Sequence, residues 1–384
     1  MYVLMVVPND FPNGDAGSIR DLSFASIYQM LGYDVILIGA GNNSKSGDYK
    51  SVQYYSVYKE INGLLGHIYR FIYYPQRYIS FIKDIEKKFG VPSAIHINDV
   101  AEVTINYLKK YAIKHDIPIV HDSVEWYSAS EFAKGKLDKA YILKNRLNTK
   151  IIKKPIKVYA ISSYLENYFR SKGLNSIRIP VIMDIEEQKK YLSQDEDVIK
   201  LIYAGSPGKK DYLREIVLGI EMLNDNEKRR LRLDIYGAST QQVKSIIGSN
   251  TLSPCIYAHG RVQRCEVESA LQNSDFSVLL RPEYERYAKA GFPTKSVEAM
   301  VNGVAMLCNL SSDLDIYLKD MKNSVIVDGH TPELFCDSIK RILELDRNTI
   351  NVIKRNARIT AENNFDYRLW KDAVNSFLFE GSKA

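Results

Sequence analysis

Cysteine is scarce in the 384-residue sequence, and its four copies, Cys255, Cys265, Cys308 and Cys336, show no C-x-x-C spacing. We therefore expect buried thiols and neither a disulfide framework nor a cysteine metal site. No apolar run approaches the roughly 20 residues that a membrane-spanning helix needs. The apolar start, Met1–Val7, lacks a basic leader and a small-residue cleavage site, so we expect a cytoplasmic protein.

Apolar segments alternate between strand-like runs and helical periodicities in both halves of the chain. The runs Tyr2–Val7 and Val35–Ile38 flank a segment of helical period that Gly32 closes. Such βαβ units build parallel sheets. Residues Glu186–Asp197 are polar and lack a period, which predicts a linker. We therefore predict an α/β fold of two doubly wound, Rossmann-like domains facing a cleft: 1–185, 186–365, and a C-terminal helix at 366–384 that could cross back to the first domain.

The first turn between strand and helix holds two glycines, Gly14 and Gly17, just before a helix start. Such a turn lets backbone N–H groups approach an anion. It lacks the G-x-G-x-x-G spacing and a well-placed ribose-binding acid, which argues against a dinucleotide site. A tight structural loop is the alternative, and Arg20, one turn into the helix, favours a ligand.

In the second half, the strand Lys200–Tyr203 leads into a glycine-rich turn that starts at Gly205 and carries Lys209 and Lys210. Lysines at such a place neutralise diphosphates as point charges, although a solvated turn would carry lysines as well. The function of this turn therefore stays open on the residues alone.

A second basic group follows, with Arg281 ending an apolar strand and Lys295 in the first turn of a helix that begins near Pro293. The helix dipole disfavours a cation there, and a bound anion would offset the conflict. Glu298 lies one turn later on the same face, so a plain i,i+3 salt bridge with Lys295 is the alternative.

The motifs GSPGKK, HGRV, LLRP, FPTKSVEAMVNGVAML and NSVIVDG, in that order, resemble the nucleotide-binding half of glycosyltransferase family 4. The resemblance covers most of the chain and is clearest from Leu201 to Gly329. It implies a retaining GT-B enzyme that uses a nucleoside diphosphate sugar and needs no cofactor. It implies these contacts: Glu298 with the ribose hydroxyls, Gly260, Arg261 and Val262 with the base, Lys209 or Lys210 with the diphosphate, and Gly17 with the phosphates.

Two positions depart from the pattern of that family. Ala290 stands where the family usually has the first of two glutamates, which puts the donor-sugar contacts in question. Ser206 stands where the family usually has an arginine that holds a phosphate. Arg281 and Lys295 are the candidates to replace it, and Gly205 of the glycine-rich turn is a further candidate for donor binding.

The residues His121, Asp122 and Glu125 follow an apolar strand and are the candidate catalytic group. A histidine and two acids could bind sugar hydroxyls or polarise an acceptor, and Trp126 and Tyr127 offer flat faces to a sugar ring. The alternative is a structural loop at the strand end, whose polar side chains form hydrogen bonds only within the fold. These candidate residues contain no D-x-D pattern, so they do not suggest a bound Mg²⁺.

Two segments could meet an anionic membrane. The predicted helix Gly63–Lys88 mixes tyrosine and phenylalanine with basic residues, a composition that interfacial helices use, and a lysine-rich stretch follows Gly135. A covered core helix and a solvated helix face are the alternatives. Aromatic and basic residues also suit single-stranded nucleic acid, but nothing else in the sequence supports that partner.

We therefore expect a metal-independent glycosyltransferase of the hexosyltransferase type, with a UDP- or GDP-linked donor and a glycan or lipid-linked acceptor. Cell-surface polysaccharide synthesis, such as capsule formation, is an expectation from the family resemblance. Two alternatives remain on the sequence alone. One is an inactive relative that regulates another transferase, and the other is a nucleotide-sugar epimerase.

Overall fold

The structure is a computed structural model that describes residues 1–12, 16–39, 46–58, 64–186, 198–205, 208 and 210–380. It divides the chain into two compact units. Unit 1 contains Met1–Asp184 together with the chain from Asp366 onward, and unit 2 contains Ile185–Phe365. Of the predicted linker, residues 187–197 lie outside the described part.

Unit 1 is built on a mostly parallel sheet. Its strands are β1 Tyr2–Val6, β2 Asp34–Gly39, β3 Gly47–Tyr49, β4 Val52–Ser56, β5 Ala94–Ile97, β6 Ile119–Ser123, β7 Lys157–Ala160 and β8 Ser176–Arg178. Their order is β3-β4-β2-β1-β5-β6-β7-β8, and β3 pairs antiparallel with β4. The central strands β1, β5 and β6 are buried throughout, as expected for parallel strands with both faces covered.

The helices of unit 1 flank this sheet and include the last helix of the chain. They are α1 Ala16–Met30, α2 Leu64–Phe89, α3 Glu102–His115, α4 Lys139–Arg146, α5 Ser163–Ser171 and, after the helices of unit 2, α15 Lys371–Leu378. Short helical turns cover Ala129–Glu131, Gly135–Leu137, Leu147–Ile151 and Tyr367–Trp370. Gly173, at φ +73°, follows α5 in the left-handed conformation that commonly ends a helix.

Unit 2 is a second parallel sheet with helices. Its strands are β9 Ile199–Ala204, β10 Leu231–Tyr236, β11 Ile256–Gly260, β12 Phe276–Leu279, β13 Ala305–Cys308 and β14 Ser324–Ile326, in the order β11-β10-β9-β12-β13-β14. Its helices are α6 Leu213–Glu221, α7 Asp225–Arg229, α8 Thr240–Ile247, α9 Arg264–Gln272, α10 Arg286–Ala290, α11 Thr294–Val301, α12 Leu314–Tyr317, α13 Pro332–Leu343 and α14 Arg347–Asn364.

The chain returns to unit 1 after Phe365. Val374 and Leu378 of α15 are buried in the same core as β1 and α1. The ring of Phe379 stacks on Tyr33 with centroids 4.6 Å apart, and Lys157 Nζ donates to the carbonyl oxygen of Phe377 at 2.7 Å. The last helix is therefore an integral part of the first unit.

The predicted α/β class with two parallel-sheet units is confirmed. The last strand of unit 1, β8, ends at Arg178, since Pro180 has no N–H to donate to a ladder. The predicted helix Gly63–Lys88 corresponds to α2. The expectation that all four cysteines are buried is wrong for Cys265, which is exposed. Among the described helices none is long and apolar enough to cross a membrane.

Candidate active site

In unit 2, the carboxyl ends of β9 and β12 mark the point where the strand order reverses. The strands β10 and β11 extend the sheet on one side of β9, and β12, β13 and β14 extend it on the other. Doubly wound sheets bind ligands in the crevice outside the strand ends at such a switch point. The candidate site in this unit is therefore built from the segments that follow β9 and β12.

Asp211, which the sequence analysis did not single out, holds two of the predicted cations at this point. Its Oδ1 accepts from Arg281 Nε at 3.0 Å, and its Oδ2 accepts from Lys295 Nζ at 2.5 Å. Arg281 comes just after β12 and Lys295 comes from the first turn of α11, 84 residues away from Asp211 in sequence. One buried carboxylate thus fixes two cationic side chains that arrive on separate elements.

The turn after β9 leaves room for the Lys295 ammonium. A Cβ added at Gly205 would lie 2.7 Å from Lys295 Nζ, so glycine is required for this placement. The same ammonium lies 4.9 Å from the centre of the Tyr203 ring, and Tyr203 donates its hydroxyl to Asp211 at 3.1 Å. Three residues of the β9 turn therefore determine where the Lys295 charge stands.

The electrostatic balance of this group is positive. Burial alone would raise the pKa of Asp211, but the charges of Lys295 and Arg281 outweigh it and hold that pKa below its ordinary value. Burial also lowers the pKa of Lys295, and Asp211 opposes this shift. Two cations facing one carboxylate leave a net positive charge at the strand ends, which suits a phosphate.

Glu298 lies one turn further along α11 and is partly exposed. Burial raises its pKa, while Arg264 and Lys295 oppose the shift. Its Oε1 is 3.9 Å from Arg264 Nη2. The salt bridge offered as the alternative for Lys295 is therefore not its main contact, since the ammonium bonds to Asp211 at the start of the helix.

The predicted base-contact residues lie at the end of β11, where the chain makes a tight turn. Gly260 has φ +72°, Arg261 is exposed, and Val262 is partly exposed. Beside this turn the rings of Tyr236 and His259 stack with centroids 4.4 Å apart and an interplanar angle of 11°. These two aromatic residues, which the sequence analysis missed, add a flat surface next to the predicted base position.

The remaining predicted phosphate contacts are only partly within the described chain. The Lys210 ammonium lies 5.8 Å from the Tyr287 ring centre. Lys209 and Ser206 lie outside the described residues. Ala290, where the family usually has a glutamate, is completely buried at the end of α10.

In unit 1 the structure contradicts the ligand roles predicted for Arg20 and Asp122. Both are buried and form a two-pronged ion pair, with Arg20 Nε and Nη2 donating to Asp122 Oδ2 and Oδ1 at 2.7 and 2.8 Å. Arg20 also donates to the carbonyl oxygens of Pro180 and Ile179. Four of its five N–H groups are thus engaged in the fold, so this pair ties α1 to the sheet instead of contacting a phosphate or an acceptor.

His121 is fully buried in β6. Its Nε2 lies 3.8 Å from Asp99 Oδ1, and neither ring nitrogen has a hydrogen-bond partner from another side chain in the described chain. Burial, followed by the charge of Lys144, lowers the pKa of His121 to about 3. A neutral, enclosed imidazole is poorly placed to exchange protons with an acceptor. Lys144 belongs to the lysine-rich stretch, for which an anionic surface and a solvated helix face were both open, and it is buried against Asp99.

The other predicted residues of unit 1 lie around the loop that follows β6. Glu125 is partly buried, and its charge contributes to the raised pKa of Tyr127, which burial raises most. Trp126 is buried, donates its Nε1 to Asn145 Oδ1 at 3.1 Å and packs on Tyr168, so its predicted role as an open sugar platform is wrong.

Gly17 lies in the first turn of α1, against the loop that follows β1. A Cβ at this position would lie 2.6 Å from the Asn9 side chain. That asparagine donates to Asp21 Oδ2 at 2.6 Å. Glycine is therefore needed at 17 for the loop to close on α1, whatever the loop binds.

Comparison with known proteins finds a family match for the second unit. Residues 184–360 match the family Glycosyl transferases group 1. A relative, an uncharacterised glycosyltransferase of Methanocaldococcus jannaschii, is 25% identical over 284 residues, which cover 71% of this chain and 69% of the relative.

The fold of the whole chain resembles those of solved GT-B enzymes. Sucrose-phosphate synthase from Thermosynechococcus elongatus matches with a TM-score of 0.74 at 13% identity, covering 98% of both chains. HepE of Anabaena, solved in complex with UDP and glucose, matches with a TM-score of 0.67 at 13% identity, covering 99% of this chain and 100% of HepE.

Proposed function

We propose that the chain, whose residues 184–360 match Glycosyl transferases group 1, transfers a sugar from a nucleoside diphosphate sugar to a glycan or lipid-linked acceptor, with retention of configuration. The observation that carries the proposal is the pair of cations, Arg281 and Lys295, held by Asp211 at the switch point of unit 2. The complex of HepE with UDP and glucose supports a uridine donor. Synthesis of a cell-surface polysaccharide remains an expectation from the family resemblance.

The leaving group explains why cations are needed there. When the glycosidic bond to the nucleoside diphosphate breaks, negative charge accumulates on the departing phosphate oxygens. Preorganised cations stabilise that charge most where little water surrounds them. Arg281 and Lys295 bind the diphosphate together with Lys209 or Lys210, and this pair replaces the arginine that the family usually has at position 206.

The rest of the donor is assigned by position along the strand ends. Glu298 accepts hydrogen bonds from the ribose hydroxyls, one helical turn from Lys295. The base lies at the turn of Gly260, Arg261 and Val262. No side-chain nucleophile or metal enters this scheme, and the partly exposed Glu125 of unit 1 is the residue that we propose for acceptor contact.

Ligand-induced stabilisation tests the donor site. UDP, GDP and their sugars are titrated against the full chain by thermal shift. A ligand that binds only the folded protein at a hundredfold excess over its dissociation constant stabilises it by about 2.7 kcal/mol. We expect one nucleotide family to raise the melting temperature, and Lys295→Ala and Arg281→Ala to reduce that shift. Lys322→Ala, an exposed position in the same unit, is the matched control.

Each negative outcome points to a different error. If all nucleotides leave the melting temperature unchanged, the donor site is wrong. If a nucleotide binds but hydrolysis and transfer of its sugar are both undetectable with every acceptor tried, the regulatory-partner alternative is favoured. A shift that survives Lys295→Ala and Arg281→Ala places the diphosphate elsewhere.

A further inference from the structure

Three large apolar side chains are exposed on one short segment of unit 1. Leu137 is 81% exposed, Ile142 48% and Leu143 44%. They belong to the helical turn Gly135–Leu137 and to α4, which follows directly. Single exposed apolar residues are common on protein surfaces, whereas a group of large ones on one element marks an interaction surface.

The anchoring of α4 explains why these side chains point outward. The carboxylate of Asp138 caps the helix and accepts from the Ala140 N–H at 2.9 Å. On the inner side Lys144 bonds to Asp99, and in the last turn Arg146 forms a two-pronged pair with Glu102 of α3. Lys144 thus marks the buried face of α4. Ile142 and Leu143 lie on the outer face, which they share with Arg146, four and three residues further along the helix.

Lysines surround the exposed apolar group. Lys134, Lys136 and Lys139 are exposed, while the one acid between them, Asp138, is turned toward the helix backbone as its cap. Arg146 at the end of α4 is paired with Glu102 of α3. The three lysines therefore give the segment around the apolar group a local excess of positive charge.

We propose that this segment docks on an anionic lipid bilayer. The α4 surface consists of Lys134, Lys136, Leu137, Lys139, Ile142 and Leu143. Leucine and isoleucine enter the boundary between headgroups and acyl chains, while lysines keep their charges among anionic headgroups. Lysine is depleted in protein–protein interfaces, and aliphatic side chains offer no stacking surface for nucleic-acid bases, so a bilayer fits this combination best.

This inference rests on the proposed function and narrows it to an acceptor that resides in the membrane. The α4 surface is tied through Lys144 to Asp99, which follows the carboxyl end of β5. His121 and the loop that leads to Glu125 follow on the adjacent strand β6. A bilayer on the α4 surface would therefore present a lipid-linked acceptor at the strand ends of unit 1.

Vesicle co-sedimentation of the full chain tests the proposal without donor or acceptor. Phosphatidylcholine vesicles with and without phosphatidylglycerol are compared. We expect binding to the anionic vesicles and its loss at high salt. Each lysine near an anionic surface contributes about fivefold to partitioning, so the triple variant Lys134→Gln/Lys136→Gln/Lys139→Gln should bind about a hundredfold more weakly.

The apolar contribution is tested separately. The variant Leu137→Ser/Ile142→Ser/Leu143→Ser, which keeps every lysine, should also bind the anionic vesicles more weakly than the wild type at low salt. Its matched control is Ile316→Ser/Val352→Ser/Ile359→Ser, which alters three residues of unit 2 with 45%, 48% and 44% exposure. For the lysines, the control is Lys319→Gln/Lys322→Gln/Lys340→Gln, at three exposed positions of unit 2. Circular dichroism and the nucleotide thermal shift verify that each variant is folded.

Two results would overturn the docking surface. The first is an absence of binding to anionic vesicles by the folded wild type. The second is equal loss of binding in the α4 variants and in their unit 2 controls, since this would show that general charge or hydrophobicity is responsible. Nucleotide binding that persists in either case leaves the proposed function intact, so the two failures are distinguishable.

Discussion

Substituting Gly205 by alanine should weaken donor binding without destabilising the fold. The added Cβ would lie 2.7 Å from Lys295 Nζ, and the ammonium must retreat by about 0.7 Å to reach ordinary contact. The backbone at Gly205 lies outside the left-handed region, so alanine fits it. The clashing atom is the end of a flexible side chain, and we expect the free energy of unfolding to change by less than about 0.5 kcal/mol.

The expected loss of affinity follows from the hydrogen bond between the Lys295 ammonium and the diphosphate that the substitution would weaken. Hydrogen bonds to charged groups contribute about 1.5–3 kcal/mol, and about 1.4 kcal/mol corresponds to tenfold in affinity. A displaced Lys295 keeps part of its Coulomb attraction to a diphosphate, so we expect roughly tenfold weaker nucleotide binding. Isothermal titration calorimetry with the nucleotide identified by thermal shift measures this change.

A double-mutant cycle isolates the cause. In a Lys295→Ala background the alanine at 205 has no ammonium to displace, and the Tyr203 hydroxyl, at 3.6 Å from the new Cβ, is in ordinary contact. Gly205→Ala should therefore add no further loss in that background. Equal losses in both backgrounds would show that the substitution acts through the turn itself, and an unchanged affinity in the wild-type background would refute the role of Lys295.

Three other predictions concern titration and stability. Burial raises the pKa of Glu298, so this carboxylate becomes protonated at a higher pH than an ordinary glutamate. Nucleotide affinity should therefore begin to fall at that higher pH on acidification, and calorimetry should find a weaker pH dependence in Glu298→Gln. Asp122→Ala, which leaves Arg20 buried and unpaired, should cost about 3–5 kcal/mol in urea unfolding, and Arg20→Met/Asp122→Leu should cost less. Burial lowers the pKa of His96 to about 4 and of His121 to about 3. Below about pH 6.5 the unfolded chain therefore binds more protons than the folded one, and the free energy of unfolding should fall by about 1.4 kcal/mol per pH unit for each histidine. Urea unfolding at a series of pH values should show a smaller slope in each His→Gln variant.

The fold could be predicted from the sequence because it depends on local sequence features. The first helix ends beside Gly32, which has φ +86°, and the buried strands appear as short apolar runs. Parallel topology follows from the alternation of these runs with helices, and it places Gly205, Arg281 and Lys295 after strands or at a helix start. The two short strands β3 and β4 and the helix α4 were not predicted, since their residues are polar and carry weak periodicity.

The ion pairs that organise the sites could not be predicted from the sequence, because they depend on the order of the strands in each sheet. Arg20 and Asp122 are 102 residues apart, and no local pattern pairs them. Lys144 lies in a lysine-rich stretch and differs from its neighbours only by facing Asp99. Asp211 directly follows the two lysines of the glycine-rich turn, and an acid between those lysines and an apolar helix start is a signal that could have drawn attention to it.

The return of the chain to unit 1 has a consequence for biosynthesis. Unit 2 is one continuous stretch and can fold as soon as the ribosome has released Phe365. Unit 1 instead cannot complete its core until Val374 and Leu378 have been synthesised, because they pack in the same core as Val3 and Met5. During translation the earliest-made strands therefore carry an uncovered apolar face while the whole of unit 2 is synthesised, and nascent chains at that stage are natural clients for chaperones.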